Sequence, residues 1–241
     1  LDGREIGAMA MLGCMAEYAV VPAISVMKID RSIPLDRAAL VGCGVMTGVG
    51  AVTNTAKVRA GSTVAVFGCG GVGLSAIQGA RLVGAKRIIA VDTLDSKLEY
   101  ARHFGATDTV NAKDDPVAAV RELTGGRGAD YSFEVTGKVP VMEQAYAATR
   151  RGGTVCIIGI GHYTESFPLN ACGFSADAKT VIGCMYGNTN FKIDMPDLLE
   201  LYLSKRLDLD AMITRTYSID EVPQAFEDLK SGINARGVIL F

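Results

Sequence analysis

Three groups of residues in this chain could do chemistry. Gly68, Gly70 and Gly73 form a Gly-x-Gly-x-x-Gly pattern in FGCGGVG at 67–73. Asp92 follows 19 positions after Gly73, closing the apolar run RIIAVD. Cys43 stands between two glycines in VGCGVMTGVG at 41–50.

The glycine pattern alone is weak. Here it follows the buried-strand string TVAVFG (63–68) and opens a helix-patterned stretch, with an acid ending the next strand. That context belongs to a dinucleotide site. Gly68 permits the tight turn, Gly70 lets backbone approach a pyrophosphate, and Gly73 lets helix and strand pack closely. The helix start offers free N–H groups and a positive dipole end to phosphate. Asp92 can accept hydrogen bonds from ribose hydroxyls and would repel a 2′-phosphate, so NAD is expected over NADP. The rivals are a ligand-free strand–helix turn and a methyltransferase-like nucleotide site. Cys69, inside the turn, reads as a small filler.

Cys43 leaves three readings open. It is a small apolar residue at a glycine-rich helix start, or a nucleophile whose thiol a helix dipole would acidify, or a zinc ligand. Zinc needs two or three further donors, and no partner set is visible. The six cysteines contain no CxxC, and their scatter suits a reducing cytoplasm rather than a disulfide framework. His103 reads as solvated on a helix, His162 as a surface-loop residue, and Glu134 as a structural polar group at a strand end.

The elements that must position these residues alternate regularly. Strands are expected at 63–68, 87–92, 108–111, 131–137, 154–161 and 180–187. Helices are expected between them, at 71–84, 94–104, 115–124 and about 139–150. Such alternation implies an α/β fold with a doubly wound parallel sheet. Before it, AEYAVVP (16–22) and SVMKI (25–29) read as β-rich, a helical run starts after Pro34, and 48–56 reads as a helix of small residues. After it come helices at 195–207 and 219–232 and a strand at the end. The expected division is 1–44, 45–185 as the cofactor domain, and 186–241 rejoining the first part. A net charge of −2 gives no basic patch for nucleic acid. No apolar run is expected to reach the ~18 residues of a membrane span. LDGREIG at the start is not a signal peptide, and without an initiating Met residues upstream are expected to have been removed or omitted.

ALVGCGVMTGVGAV, GCGGVG, RIIAVD, YSFEVTG, VCIIGI and SGINARGVILF together resemble the zinc-dependent medium-chain alcohol dehydrogenases. NTAKV at 54–58 resembles most the thiol-dependent formaldehyde dehydrogenase branch. The resemblance covers essentially the whole chain and implies an oxidoreductase with a Rossmann domain flanked by parts of a GroES-like catalytic domain. It makes Cys43 one ligand of the catalytic zinc, with the other ligands in a lobe this chain does not contain. It places Thr47 and Val72 against the nicotinamide and Lys97 on the adenosine ribose. The backbone of Ile158, Gly159 and Ile160, and that of Tyr186, would hold the carboxamide. Arg236 would bind the pyrophosphate beside Gly68, Gly70, Gly71 and Gly73, and the 180–187 edge implies a homo-oligomer, dimer or tetramer.

The resemblance therefore implies NAD-dependent oxidation of an alcohol, or of a hydroxymethyl–thiol adduct, to an aldehyde-level product in the cytoplasm, assisted by zinc. The alternatives are a catalytically inert NAD-binding fragment and, more remotely, a zinc-free quinone-reductase-like relative. No nucleic acid or membrane is an expected partner.

Overall fold

The computed structural model describes residue 3 and residues 12–241. Apart from Gly3, the opening LDGREIG lies outside the described residues. Residues 35–55 form one continuous helical rod. It comprises α1 (Leu35–Leu40), a π-helical turn (Val41–Val45), α2 (Met46–Gly50) and a second π-helical turn (Ala51–Thr55). This corrects two expectations. Cys43 lies well inside the helix rather than at its start, so the N-terminal dipole that would acidify a thiol is out of reach. The rod is also, by length and composition, long and apolar enough to cross a membrane, although more than half of that stretch is buried in the protein. Its glycines explain its place. A Cβ on Gly48 would come within 2.3 Å of Val72 O, and one on Gly79 within 3.2 Å of Val49 Cα. Bare backbone on both sides lets the rod lie against α3 (Gly71–Leu82).

Six strands make one wholly parallel sheet: β1 (Thr63–Phe67), β2 (Arg87–Asp92), β3 (Asp108–Asn111), β4 (Ala129–Glu134), β5 (Thr149–Ile157) and β6 (Thr180–Gly183). Their order is β3-β2-β1-β4-β5-β6. β1 (TVAVF) and β2 (RIIAVD) are apolar between their ends because both faces are covered. The rod, α3 and α4 (Asp95–Phe104) contribute to one core, and α5 (Pro116–Leu123) and α6 (Val139–Ala148) to the other. Local signals set the helix ends. The Asp115 side chain accepts from the N–H groups of Val117 and Ala118 ahead of Pro116, and Gly105 ends α4 at φ +117°. This is the doubly wound α/β fold expected.

Strands β4, β5 and β6 all end earlier than expected, and α7 (Ala171–Asp177), which buries no residue, had no signal. α8 (Phe191–Leu203) starts before the expected 195 and carries Pro196 in its first turns. β7 (Ile213–Ser218) pairs in parallel with β8 (Arg236–Leu240), with α9 (Val222–Ser231) between them. Residues 16–22 and 25–29 are not strands. Among residues 12–33 the only regular element is a 3₁₀ turn at Ala23–Ser25, and Tyr18 and Val20 are 90% and 101% exposed. β-branched composition makes a strand only beside another strand, and no described strand pairs with these segments.

Candidate functional site

The strand order reverses between β1 and β4, and in a sheet of this kind the crevice for a ligand lies beyond their carboxyl ends. Gly68 takes φ +101°, closed to most side chains, and its N–H donates to Val91 O at 2.8 Å. A Cβ on Gly73 would stand 1.9 Å from Gly68 O, so only glycine lets α3 start this close to β1. Gly70 is different: no atom lies within 4 Å of its would-be Cβ. It occupies the N-cap of α3 with no side chain capping the helix, so first-turn N–H groups face this open space.

Asp92 braces the turn. Its Oδ2 accepts from Cys69 N at 2.8 Å and its Oδ1 from Leu94 N at 3.1 Å. Each carboxylate oxygen keeps a lone pair for a further donor. Cys69 is buried, and desolvation, with Asp92 near, pushes its thiol far up, as befits a filler. Lys97 on α4 lies near this turn and against Gly232, whose would-be Cβ is 3.1 Å from Lys97 Nζ.

Arg236, at the start of β8, reaches the start of α3 from the far end of the chain. Would-be Cβ atoms on Gly71 and Gly44 lie 2.3 Å from its Cδ and 3.6 Å from its Cζ. Two glycines thus make room for one guanidinium between the rod and the phosphate-type turn. Open backbone N–H groups, a cation and an acceptor carboxylate beyond it fit a dinucleotide pyrophosphate and ribose.

Farther along the crevice, Thr47 is buried in α2, one turn beyond Cys43, and Val72 packs partly buried on the core. Ile158 is buried while Ile160 is 77% exposed. The N–H groups of Ile158 and Gly159 both donate to Glu134 O, at 2.8 and 3.1 Å. This segment therefore offers a ligand its carbonyls rather than those donors. Glu134 is fully buried; its Oε1 accepts from Thr136 N, Thr136 Oγ1 and Gly137 N at 2.6, 2.5 and 3.0 Å. That is a structural brace at the switch point. Tyr186 donates its hydroxyl to Gly42 O at 2.8 Å, and burial, with Cys43 beside it, raises its pKa. His162 is exposed and bonds within its own loop, to Thr164 Oγ1 at 2.8 Å. His103 is not simply solvated: its Nε2 lies 3.1 Å from Asp208 Oδ2.

Cys43 is exposed, and among the described residues no group of three or more His, Cys, Asp or Glu could hold a metal ion. The residues present do not fit a tetrahedral zinc site.

The family model described as "Zinc-binding dehydrogenase" matches residues 71–204. The chain belongs to the zinc-binding dehydrogenase family. It is 40% identical over 242 residues to putative alcohol dehydrogenase D of Mycobacterium tuberculosis, covering 99% of this chain and 66% of that protein. It is 38% identical over 254 residues to S-(hydroxymethyl)glutathione dehydrogenase of Paracoccus denitrificans, covering 100% and 66%. Benzyl alcohol dehydrogenase of Acinetobacter calcoaceticus superposes with a TM-score of 0.85 at 33% identity, over 88% of this chain and 58% of that one. The chain thus spans just under two thirds of the length of these curated relatives. The likeness is to the zinc-binding dehydrogenases broadly; the formaldehyde-dehydrogenase branch is one of several at similar identity.

Sequence reasoning missed three contacts in the site: Asp92 with the Cys69 backbone, Tyr186 with Gly42 O, and Arg236 beside Gly44. The paired glycines Gly44 and Gly71 were the available signal for the last, because bare backbone marks a close approach.

Proposed function

We propose that the crevice binds NAD and that the chain serves an alcohol dehydrogenase. One observation carries this reading: the uncapped start of α3 opens onto free space above Gly70, with the Arg236 guanidinium set against Gly71 and Gly44. The first-turn N–H groups of α3 and Arg236 neutralise the pyrophosphate. Asp92 receives the ribose hydroxyls with lone pairs left free by the Cys69 and Leu94 amides, and Lys97 flanks it. Thr47 and Val72 shape the nicotinamide's pocket, and the Ile158–Gly159–Ile160 backbone and the Tyr186 turn fix its rotation. When bound, NAD supplies the hydride acceptor. The protein's part is to hold one ring face toward the alcohol at reacting distance and to exclude water.

The finer reading concerns zinc and substrate. Cys43 supplies one zinc ligand, and the donors that complete the site stand outside these residues. The family's name and the span of about two thirds of its relatives' length support this. The name of the Paracoccus relative supports a hydroxymethyl–thiol adduct as one candidate substrate, beside simple alcohols. The edge strand β6 supports a homo-oligomer. The absence of a metal-holding group among the described residues favours a second reading, an NAD-binding module without turnover of its own.

Zinc content and alcohol-dependent NADH formation, measured on this chain and on one extended by any coding sequence upstream of Leu1, separate the two. We expect stoichiometric zinc and turnover in the longer chain, and NAD binding without zinc in this one. A longer chain that holds no zinc and forms no NADH overturns the enzyme reading. Bound zinc and turnover in this chain alone overturn the placement of the ligands elsewhere.

A further inference from the structure

The opposite end of the sheet, at the amino ends of β4 and β5, carries a charged groove that the proposed cofactor site does not use. It encloses about 640 Å³ and is lined by Arg121, Arg127, Arg150, Arg151 and Lys179 with one carboxylate, Asp177. Its remaining lining is glycine and threonine, with no apolar or aromatic side chain. A second groove of about 440 Å³ shares Arg127 and adds Lys86 and Arg87.

Part of this charge has structural work. Lys179, Arg121 and Arg151 each donate to a carbonyl near a helix end: Tyr146 O at 2.8 Å, Ala147 O at 2.9 Å and Ala176 O at 2.9 Å. Asp177 pairs with Arg151 and Lys179, and Asp130 with Arg150. Charge remains after these. Arg121 has no carboxylate within 4.0 Å among the described residues, and each guanidinium has five N–H donors. The Arg127 side chain makes neither a hydrogen bond nor an ion pair among the described residues.

Arg127 is also held in an unusual way. It belongs to TGGRG (124–128), where Gly125, Gly126 and Gly128 take φ of +64°, +82° and +91°. A Cβ on Gly128 would meet Ala148 O at 2.6 Å, whereas nothing lies within 4 Å of those on Gly125 and Gly126. The loop is tied down on one side and open on the other, and it presents the Arg127 guanidinium, within Coulomb reach of Asp130, between two grooves.

We infer that this groove binds a small anion carrying two or more phosphate groups. Guanidinium forks match phosphate oxygens in pairs, and the space exceeds the needs of a single phosphate. A concave, wholly polar lining does not suit a membrane surface, and the lack of an aromatic platform argues against single-stranded nucleic acid.

Calorimetric titration with inorganic tripolyphosphate tests this, using wild-type protein and Arg127→Glu at roughly 50 mM salt. Arg127 is exposed and far from the glycine turn in sequence, so the variant should fold and bind NAD as the wild type does. We expect saturable binding, weakened at least about tenfold by Arg127→Glu, as losing a charge-assisted hydrogen bond implies. Arg127→Lys should keep part of it. Equal affinity in wild type and Arg127→Glu, displacement of tripolyphosphate by NAD, or no saturable binding below about 1 mM overturns the inference. So does binding of anionic phospholipid vesicles or single-stranded RNA with no binding of tripolyphosphate.

Discussion

Asp92 holds two backbone amides in place and, in the proposed function, also selects the cofactor. Replacing it with alanine removes acceptors for the ribose hydroxyls and the charge that opposes a 2′-phosphate. Asp92→Ala should weaken NAD about tenfold or more, on the usual worth of charged hydrogen bonds, while NADP loses less. Paired titrations read the ratio, and an unchanged NAD-to-NADP preference would count against the assignment. The turn's glycines divide by what surrounds them. Gly73→Ala forces a Cβ onto Gly68 O, 1.9 Å away, and should cost about 1–3 kcal/mol of stability or more. Gly70→Ala meets no atom within 4 Å. It should stay within about 1 kcal/mol of wild type in thermal or denaturant unfolding, yet lose NAD affinity by filling the space a pyrophosphate needs. Equal destabilisation by both, with NAD binding unmoved, would contradict the reading of Gly70 as the phosphate approach.

At the scale of elements, the β7–α9–β8 unit delivers Arg236 to the crevice, and Asp228 ties that unit together. Its buried carboxylate accepts from Tyr217 Oη at 2.6 Å, Arg215 Nη1 at 2.7 Å and Gln224 Nε2 at 2.8 Å. These bonds, Tyr217 first and Gln224 next, hold its pKa below the ordinary carboxylate value. A lowered folded-state pKa gives stability that is full above the unfolded value. It is lost as pH falls through the folded one. Wild type should therefore lose stability on acidification below the usual aspartate range, about pH 4. Asp228→Asn should be less stable at neutral pH and show a shallower acid loss, measured as melting temperature against pH. Parallel curves would rule out this role. The same elements show what a sequence can reveal. β1 and β2 were legible because parallel strands covered on both faces form apolar runs, and α4 and α9 because Gly105 and Gly232 close them. β7, ITRTYS, was not, since four of its six residues are polar and its partner lies 23 positions away. AEYAVVP misled for the opposite reason: strand-like composition without a neighbouring strand.

At the scale of the whole molecule, the crevice is assembled from distant pieces. The glycine turn and Asp92 come from the first half of the sheet, Ile158 to Ile160 from the second, and Tyr186 from beyond β6. Cys43 and Thr47 arrive on the rod, and Arg236 arrives from the last strand. The turn, its spacing to Asp92 and the strand alternation were all local, so the elements of the proposed dinucleotide site could be read from sequence. The position of Arg236 depends on how the terminal unit packs against the rod, which no local pattern encodes. Cys43 shows the converse: its neighbours resemble a metal-ligand context, while no group of three or more potential ligands is found among the described residues. The central claim is therefore that the crevice takes NAD. It is tested most directly by calorimetric titration of this chain with NAD and, separately, NADP. The account predicts one saturable NAD site per chain, bound more tightly than NADP; no NAD binding, or tighter binding of NADP, would contradict it.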